Sequence, residues 1–507
     1  MKEHKLFWGE IHTHTNLSDG NGSPEDNFGI ARSHLDFWAM ADHAYDEAVF
    51  SLDYRKMGQD RRLLNERWKH IQELCRNHEN PGEFVPFLAY EWTNFRYGHH
   101  NVYYMEYDQP IRMPPTLPQL YESLNNVDAL VIPHHGGYPV GVCGKDWDFH
   151  DERLSPFVEI YSLHGSSENP AGIQPLLTSG SWMGPGDSGG SVQEGLARGY
   201  KLGIMASSDS HGDHPGAYDN GLIAAYANDL TRSSLWEAFL NKRIYAVTGD
   251  RIHLDFSING KYMGSAFRCP GKRAINVSAV CWDRVDRIDV IKNNSLLHTF
   301  VDPVGVTGLA DEKMRFRFML EWGWDSRAQR DWEGNLKITG GRIIQAIPCF
   351  RGNVASRTGT GIMNLDNREC SWTSRTAQVR IPMPIRKFAD AIAFEVECDR
   401  DARLQFTFAC SGLKRELIMS PGEILDKSTV TYMEEIPATN DGSYWHGMES
   451  CAKFKVHQGW LTKHLTLNLT YEDNPVELAQ SRADFYYIRL LQRNGQRAWS
   501  SPVWVEC

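Results

Sequence analysis

The sequence predicts an α/β barrel over residues 1–250, followed by a mostly-β, sandwich-like domain over residues 251–507. Short apolar runs, each long enough for one strand, alternate with helical or irregular sequence before residue 210. Such alternation is typical of a parallel sheet. Histidines and carboxylates lie at or near the ends of most of these runs. Polar clusters at the carboxyl ends of parallel strands are typical of a barrel with one active face.

Seven strands and five helices are predicted in the first half of the chain. The helix at 24–33 has the clearest signal, because Ser23 suits the N-cap and Pro24 suits the first helical position. The segment 52–78 is long and charged, with apolar residues near helical spacing. The predicted strands lie at 6–11, 35–40, 84–90, 101–105, 129–133, 157–161 and 202–207, and the other helices at 117–125, 191–199 and 233–242.

From residue 251 the pattern changes to short strand-like segments separated by turn signals. Residues 251–258 alternate apolar with polar, and Asn259-Gly260 is a strong signal for a tight hairpin. We expect a sandwich-type domain that serves stability, oligomer contacts, one wall of a substrate cleft or carbohydrate binding. Its other predicted strands lie at 274–280, 287–291, 314–320, 391–396, 403–409, 465–471 and 485–491.

The first predicted strand runs directly into His12-Thr13-His14. Residues i and i+2 of an extended chain point to the same side, so these two imidazoles could bind one ion. Neutral imidazole and carboxylate are the usual protein ligands of zinc, iron and manganese. A lone His-x-His also occurs by chance, but similar groups recur along the chain: Ser18-Asp19-Gly20, Ala41-Asp42-His43, Glu91, His99-His100, His134-His135 and Asp209-Ser210-His211.

This set of motifs, in this order, resembles the PHP family, named for polymerase and histidinol phosphatase domains. The resemblance covers about residues 6–250. It implies a distorted seven-stranded (β/α)7 barrel with two or three divalent ions, which would be zinc, manganese or iron. A closer likeness is to the stand-alone branch that includes carbaryl-hydrolase-like enzymes. It rests on Glu91-Trp92-Thr93, Gly98-His99-His100-Asn101-Val102, Ile132-Pro133-His134 and His164-Gly165-Ser166-Ser167-Glu168.

The resemblance implies three metal positions. Glu91 would bridge the first two, and Asp209, Glu91 and His211 would be the catalytic residues, with Asp209 orienting the attacking water. His99 is favoured over His100 at the second position, because Gly-His-x-Asn fits the closer branch. The implied ligands of the first, second and third positions are His12, His14 and Asp209; Glu91, His134 and either His99 or His100; and Asp19, His43 and His211.

Four residues beside these ligands have open roles. His135 is expected to support a ligand rather than bind metal, and Asp42 is expected to fix the tautomer of His43. His164 and Glu168 either contact substrate, orient ligands or serve only the structure.

A metal-dependent hydrolase is implied, with phosphoesters as the broader substrate class. The alternatives are an ester or carbamate hydrolase and a non-catalytic binding protein with a structural metal site. A phosphate site should offer cations near the metals, and the candidates are Arg32, Arg96, Lys145 and Arg198. Loops at 139–153 and 178–191 could cover the mouth. Aromatic residues near the clusters either line an apolar pocket or fill the core: Trp8, Trp38, Tyr45, Trp92, Tyr97, Tyr138, Trp147 and Tyr161.

Bulk properties favour a soluble enzyme with a small-molecule substrate. The net charge of −11 argues against a nucleic-acid polymer as the main partner. No apolar run approaches the ~20 residues that a membrane helix needs, so no membrane partner is expected. The chain runs from Met1 almost directly into the metal motif, which favours a cytoplasmic protein. The ten cysteines contain no Cys-x-x-Cys pair, which favours reduced thiols. The sequence is compatible with a homo-oligomer and does not give the number of subunits.

Overall fold

The computed structural model describes residues 4–44, 61–172, 183–301, 313–325, 329–352, 360–376, 389–434, 451–474 and 483–506, the side chains of 61–64 excepted. Contacts divide the chain into two compact units. The first comprises Met1–Val280, Val285–Val301 and Leu467–Cys507, and the second comprises Cys281–Arg284 and Asp302–Thr466. The C-terminal segment therefore groups with the N-terminal half. That a hydrolase domain ends at residue 250 stays a prediction.

All five helices predicted in the first half are found. In α1 the Ser23 hydroxyl accepts a hydrogen bond from the Asp26 N–H at 3.1 Å, and Pro24 occupies the first turn, as predicted. Residues 52–60 of the second predicted helix lie outside the described residues. The described helices are α1 (Pro24–Arg32), α2 (Arg61–His78), α3 (Leu117–Ser123), α4 (Val192–Ala197), α5 (Arg232–Leu240) and α6 (Pro421–Asp426).

Strands dominate both units. Those of the first unit, in chain order, are β1 (Lys5–Glu10), β2 (Phe37–Met40), β3 (His43–Ala44), β4 (Val85–Trp92), β5 (His100–Tyr104), β6 (Ala129–Pro133), β7 (Phe157–Ser162), β8 (Gly165–Ser166), β9 (Gly203–Ala206), β10 (Leu222–Ala227), β11 (Ile244–Val247), β12 (His253–Ile258), β13 (Lys261–Tyr262), β14 (Ala266–Arg268), β15 (Arg273–Val280), β16 (Val285–Lys292) and β17 (Ser295–Val301).

The chain then passes through the second unit and returns to the first. The second unit contains β18 (Lys313–Gly323), β19 (Arg330–Cys349), β20 (Gly361–Leu365), β21 (Glu369–Thr376), β22 (Ala389–Cys410), β23 (Leu413–Met419), β24 (Thr429–Tyr432), β25 (Lys453–Val456) and β26 (Trp460–Leu461). The returning strands are β27 (Thr466–Asp473), β28 (Asp484–Gln492), β29 (Arg497–Ser500) and β30 (Val503–Glu506).

The large sheet of the first unit mixes parallel and antiparallel pairs. β2 pairs in parallel with β1 and β4, but β10 is antiparallel to β1, and β5 is antiparallel to both β4 and β6. β7 and β9 pair in parallel in a separate sheet. All seven predicted strands exist, yet the predicted (β/α)7 barrel is not evident in the described part of the chain. Only residues 93–99 join β4 to β5, and a parallel crossover needs a dozen or more residues.

Residues 251–507 do not form one separate sandwich. β14, β16, β17 and β28–β30 belong to the same 14-stranded sheet as β1, joined to it through the antiparallel pair of β11 and β29. The predicted Asn259-Gly260 hairpin is confirmed, because it links β12 to β13. The second unit contains a nine-stranded sheet in which the long strands β19 and β22 pair along most of their length.

One face of the large sheet carries both apolar core and polar site. On β4 the alternate residues Val85, Phe87 and Ala89 are buried in one apolar cluster, and the next residue with the same parity is Glu91. The strand period of two therefore sets which polar side chains meet beyond the core. Further pairs of this kind in the same sheet are Tyr103 with Asn101, and Ile132 with His134. Phe157 and Glu159 form such a pair on β7, in the separate sheet.

Candidate metal centre

Two paired loops form the first group of candidate ligands. The Asp209 N–H donates to the His12 carbonyl at 3.0 Å, and the His14 N–H donates to the Ser210 carbonyl at 2.8 Å. This pairing brings Asp209 Oδ1 to 3.3 Å from Nε2 of both histidines. Glu91 Oε2 lies 3.6 and 3.4 Å from the same two nitrogens. The four buried side chains offer ligand atoms that all lie within 4.8 Å of one another.

Glu91 lies at the middle of the centre and is 0% exposed. Its Oε1 lies 2.9 Å from His99 Nδ1, 3.3 Å from His43 Nδ1 and 3.6 Å from His134 Nε2. The pairing of β3 with β4 sets His43 opposite Glu91. Since Oε2 faces the first group, histidines surround both oxygens. This is the geometry that a bridging carboxylate needs.

Asp19, His43 and His211 form a group with His14 that is nearer to solvent. Asp19 Oδ1 lies 3.6 Å from His43 Nε2 and 3.5 Å from His211 Nε2. The His14 ring stacks on both histidines, with centroid distances of 4.4 and 4.0 Å. The side chains of His211 and Asp19 are 35% and 18% exposed. This group therefore lies where a ligand would enter.

Asp42 anchors the loop that follows the first two histidines. Its carboxylate accepts hydrogen bonds from the Thr15 N–H at 2.7 Å, the Thr15 hydroxyl at 2.8 Å and the Ser18 hydroxyl at 2.6 Å. This role differs from the predicted one of fixing the His43 tautomer. At His43 Nδ1 the nearby hydroxyl is that of Thr93, at 2.7 Å.

His99, His134 and His135 form a further buried group. Neighbouring residues on an extended chain face opposite sides, and His100 lies away from this group. Its Nδ1 is 2.9 Å from the carbonyl two residues earlier, and its Nε2 is 3.3 Å from Lys145 Nζ. Of the two predicted alternatives, His99 is therefore the one that reaches the centre. His135 was expected only to support a ligand, but it is part of the group.

Many buried atoms of the centre have no hydrogen-bond partner. They are His12 Nε2, both ring nitrogens of His14 and of His134, Glu91 Oε2, His99 Nε2 and His135 Nδ1. A buried polar atom without a partner costs free energy, and native proteins rarely tolerate several together. Imidazoles and carboxylates that converge in this way fit divalent metal ions of the zinc, manganese or iron type.

Glu91 and Asp209 are held in their anionic form. Burial alone would raise the pKa of Glu91, but nearby histidines, His43 foremost, outweigh burial and hold it well below its usual range. The pKa of Asp209 is likewise low despite burial, chiefly because of His12. Burial alone would lower the pKa of His12, but Asp209 and Glu159 outweigh it and raise that pKa. Anionic carboxylates around neutralisable imidazoles favour cation binding.

No protein-family model matches the chain. An uncharacterized protein of Chlamydia pneumoniae is 32% identical over 203 residues, which cover 36% of this chain and 32% of that protein. An uncharacterized protein of Chlamydia muridarum is 26% identical over 314 residues, which cover 58% of this chain and 49% of that protein. The chain thus spans about a third to about half the length of these curated relatives.

Among solved structures, the chain is similar to a two-domain protein of Bacteroides vulgatus that contains a predicted PHP-like metal-dependent phosphoesterase. The identity is 11% and the TM-score 0.32, with 83% of this chain and 96% of that chain covered. None of these likenesses supports the carbaryl-hydrolase-like branch, so that part of the resemblance stays a prediction. Within the described residues, no helix is both long enough and apolar enough to cross a membrane.

Glu159 was not predicted as a site residue, but it contacts His12 directly. Its Oε2 lies 2.9 Å from His12 Nδ1, and the residue is 1% exposed. The contact leaves His12 Nε2 to face Asp209 and Glu91. The sequence did contain a signal for Glu159. It lies two residues after the core residue Phe157 in a predicted strand, so its side chain is expected on the same face as that core residue.

His164 extends the centre beyond Asp209. Its Nε2 lies 3.2 Å from Asp209 Oδ2, and its Nδ1 lies 3.0 Å from the Tyr138 hydroxyl. His164 therefore orients a candidate ligand, one of the roles left open. Glu168 serves the structure, because it accepts hydrogen bonds from the Tyr487 hydroxyl at 2.7 Å and from the Arg489 guanidinium at 3.1 Å.

The four cations predicted for a phosphate site contact other groups. Lys145 is 1% exposed, and its Nζ donates to a backbone carbonyl at 2.7 Å. The arginines pair with carboxylates: Arg32 with Glu83, Arg96 with Asp146, and Arg198 with Asp148 and Glu194. Arg67, which the sequence did not single out, donates from Nη1 to the Leu17 carbonyl at 2.8 Å, beside the loop that carries Asp19.

Most of the predicted pocket aromatics belong to the core. Tyr45 and residues 178–182 of a predicted mouth loop lie outside the described residues. Trp8 and Tyr97 are half-buried. The buried members are Trp38, Trp92, Tyr138, Trp147 and Tyr161.

Proposed function

We propose that this chain is a metal-dependent hydrolase that acts on phosphoesters. The observation that carries the proposal is the convergence of buried imidazoles and carboxylates, many of whose ligand atoms have no hydrogen-bond partner. We assign the ligands as His12, His14, Glu91 and Asp209 for a first ion, Glu91, His99 and His134 for a second, and Asp19, His43 and His211 for a third.

Ions bound there would act as Lewis acids, activate water near neutral pH and neutralise charge on the reacting oxygens. Asp209 directs Oδ1 at His12 and His14, while its Oδ2 contacts His164. It thereby links the ligand groups to His164, whose side chain is 15% exposed. His211 is the most exposed of the assigned ligands. It is the group placed to meet the leaving oxygen of a bound ester.

Phosphoesters are the broader substrate class that the PHP resemblance implies. One observation favours the alternative of an uncharged ester or carbamate. The four cations that the sequence offered are engaged elsewhere, and an uncharged substrate does not need them. A small-molecule substrate and a cytoplasmic location belong to the same proposal.

The test is turnover by protein stripped of metal and reloaded with manganese, zinc or iron, with bound metal counted in parallel. The substrates are p-nitrophenyl phosphate, bis-p-nitrophenyl phosphate, a p-nitrophenyl ester and an aryl N-methylcarbamate. We expect metal-dependent turnover of the phosphates. Turnover of the ester or carbamate alone would favour the alternative, and failure to bind metal under any loading would refute the proposal.

Matched variants connect the activity to the centre. E91Q and D209N should lose metal and turnover, because Glu91 is an assigned ligand of two ions and Asp209 is an assigned ligand of the first. The control is H150Q, since both ring nitrogens of His150 are buried without hydrogen-bond partners and the residue belongs to none of the ligand groups found. If E91Q and D209N behaved like H150Q, the ligand assignment would be wrong.

A further inference from the structure

His135 has a backbone conformation that turns its ring toward the centre. It follows His134 directly after β6, and an extended chain would send the two rings to opposite sides. The φ angle of His135 is +32°, in a region that non-glycine residues rarely adopt. The two rings consequently lie together, with centroids 4.2 Å apart. Such strain is typical of functional sites.

Tight packing holds this turn in place. A Cβ on Gly136, the next residue, would lie 2.9 Å from the Gly190 carbonyl and 3.0 Å from Lys145 Cβ. The turn therefore fits only with glycine after His135.

The His135 ring offers a ligand atom and lacks a hydrogen-bond partner for Nδ1. The residue is 4% exposed, and its Nδ1 is buried without a partner. One ligand atom from each of His99, His134 and His135 lies within 4.8 Å of the other two. The His135 and His99 ring centroids are 4.8 Å apart. A metal ion between the rings would satisfy these atoms, whereas a purely structural role leaves the buried Nδ1 unpaired.

We propose that His135 is a third imidazole ligand of the second metal position, with His99, His134 and the bridging Glu91. The inference rests on the metal centre of the proposed function and goes beyond the ligand set assigned there. Three imidazoles and one carboxylate make a nitrogen-rich site. Imidazole suits zinc, iron and copper, whereas magnesium and calcium prefer oxygen ligands. The second position should therefore select a transition-metal ion.

The deciding experiment exchanges the ligand and records the absorption spectrum of the cobalt(II)-loaded protein. H135C places a thiol where the imidazole lies, so a thiolate-to-cobalt charge-transfer band should appear that wild type lacks. H150C is the matched control, because it introduces a thiol at a buried histidine outside the ligand groups. A band in H135C and none in H150C is the expected result, and identical spectra for the two variants would overturn the proposal.

A second variant measures the contribution of the ring to affinity. In H135Q one of the bound ions should be lost to a competing chelator more easily than in wild type. The affinity should fall by more than the roughly 10–100-fold cost of losing a residue that only supports a ligand. Wild-type metal affinity in H135Q, with or without reduced turnover, would overturn the proposal. Circular dichroism checks both variants, and if H135Q does not fold, the H135C spectrum decides.

The outcomes separate this proposal from the proposed function. If wild type binds no cobalt, zinc, manganese or iron, the metal centre itself is wrong. If wild type binds metal and the His135 variants match their control, only the role of His135 is wrong.

Discussion

Each histidine of the centre must present the correct ring nitrogen to the ligand groups, and this selection is made by single contacts. His12 Nδ1 lies 2.9 Å from Glu159 Oε2, so Nε2 is the atom left to face Asp209 and Glu91. Metal-binding histidines commonly donate their other N–H to a carboxylate, which fixes the ring and raises its basicity. Glu159 is therefore expected to act through His12 rather than on a substrate.

Two replacements of Glu159 should separate its effect on the orientation of the His12 ring from the effect of its charge. E159A removes the acceptor, and we expect metal affinity to fall about 10–100-fold, whereas E159Q keeps an acceptor oxygen and should retain more of that affinity. Isothermal titration with zinc or manganese measures both. The control is E83Q, because the Glu83 side chain is 68% exposed. Its ion-pair partner, Arg32, is not one of the assigned ligands. Equal affinities for E159A and E83Q would contradict this role.

The charge of His43 couples the stability of the metal-free protein to pH. Burial alone would lower the pKa of His43, but Glu91 and Asp19 outweigh it and raise that pKa from 6.5 to about 9. A raised folded-state pKa means that the stabilisation is fully present below pH 6.5 and is lost as the pH rises through about 9. This stabilisation of the folded, metal-free protein is at most about 3 kcal/mol.

We therefore expect metal-free wild type to exceed metal-free H43Q in melting temperature most at pH 6, and least above pH 9. Thermal unfolding of both proteins across this range measures the difference. Metal binding needs the neutral imidazole, so metal affinity should rise over the same range. A constant difference in melting temperature from pH 6 to pH 10 would contradict the assigned protonation.

Sequence motifs predict ligands better than they predict the residues that support them. His12 and His14 are recognisable because their spacing on an extended chain is itself the geometric requirement. The contact between Glu159 and His12 joins residues 147 positions apart, and no local spacing encodes it. The role of His135 depends on one backbone angle, which the pattern His-His-Gly-Gly allows but does not require.

At the scale of elements, the strands were predictable and their pairing was not. Apolar runs located all seven strands, because burial on a sheet face requires them whichever way the neighbours run. The direction of β5 depends instead on connection length, and the short link of residues 93–99 turns it back beside β4. The same alternation that located β4 also indicated that Glu91 would share a face with its core residues.

Replacement of glycine by alanine should be harmful in the loop between His14 and α1 and tolerated within α1. A Cβ on Gly20 would lie 2.5 Å from the His14 carbonyl, whereas a Cβ on Gly29, exposed on α1, would meet nothing within 4 Å. G20A should therefore shift the loop, cost about 1–3 kcal/mol and weaken metal binding. G29A should stabilise the helix by about 0.5–1 kcal/mol.

Chemical denaturation and metal counting of the two variants test this contrast. Because both changes add the same single methyl group, G29A controls for composition. Unchanged metal content and stability in G20A would mean that the loop adjusts freely and does not hold Asp19 in place.

For the whole molecule, the first unit depends on strands from both ends of the chain. β11 pairs with β29, and the buried Glu168 contacts Tyr487 and Arg489 on β28. Arg489 also pairs with Asp289 on β16. Sequence composition changes at residue 251, which suggested a boundary there. Composition does not reveal that a chain can leave a sheet and later return to it, so the return of β28–β30 was not predictable.

Two fragments should therefore differ in whether they fold. A fragment of residues 1–250 lacks β28–β30, so Glu168 loses its contacts with Tyr487, Arg489 and Trp499. Removing one partner of a buried ion pair costs about 3–5 kcal/mol, and domains are stable by only about 5–15 kcal/mol. β11 would also lose its pairing with β29. We expect this fragment to be unfolded or to melt far below the full chain.

A fragment of residues 1–301 joined by a flexible glycine-serine linker to residues 467–507 keeps every strand of the first unit. Circular dichroism melting and metal counting on both fragments and the full chain make the comparison. The linked fragment should fold and keep the metal content of the full chain, because its ligands and the strands around them are all retained. If 1–250 alone matched the full chain in melting temperature and metal content, the boundary at residue 250 would be correct, and the C-terminal strands would be dispensable to the centre.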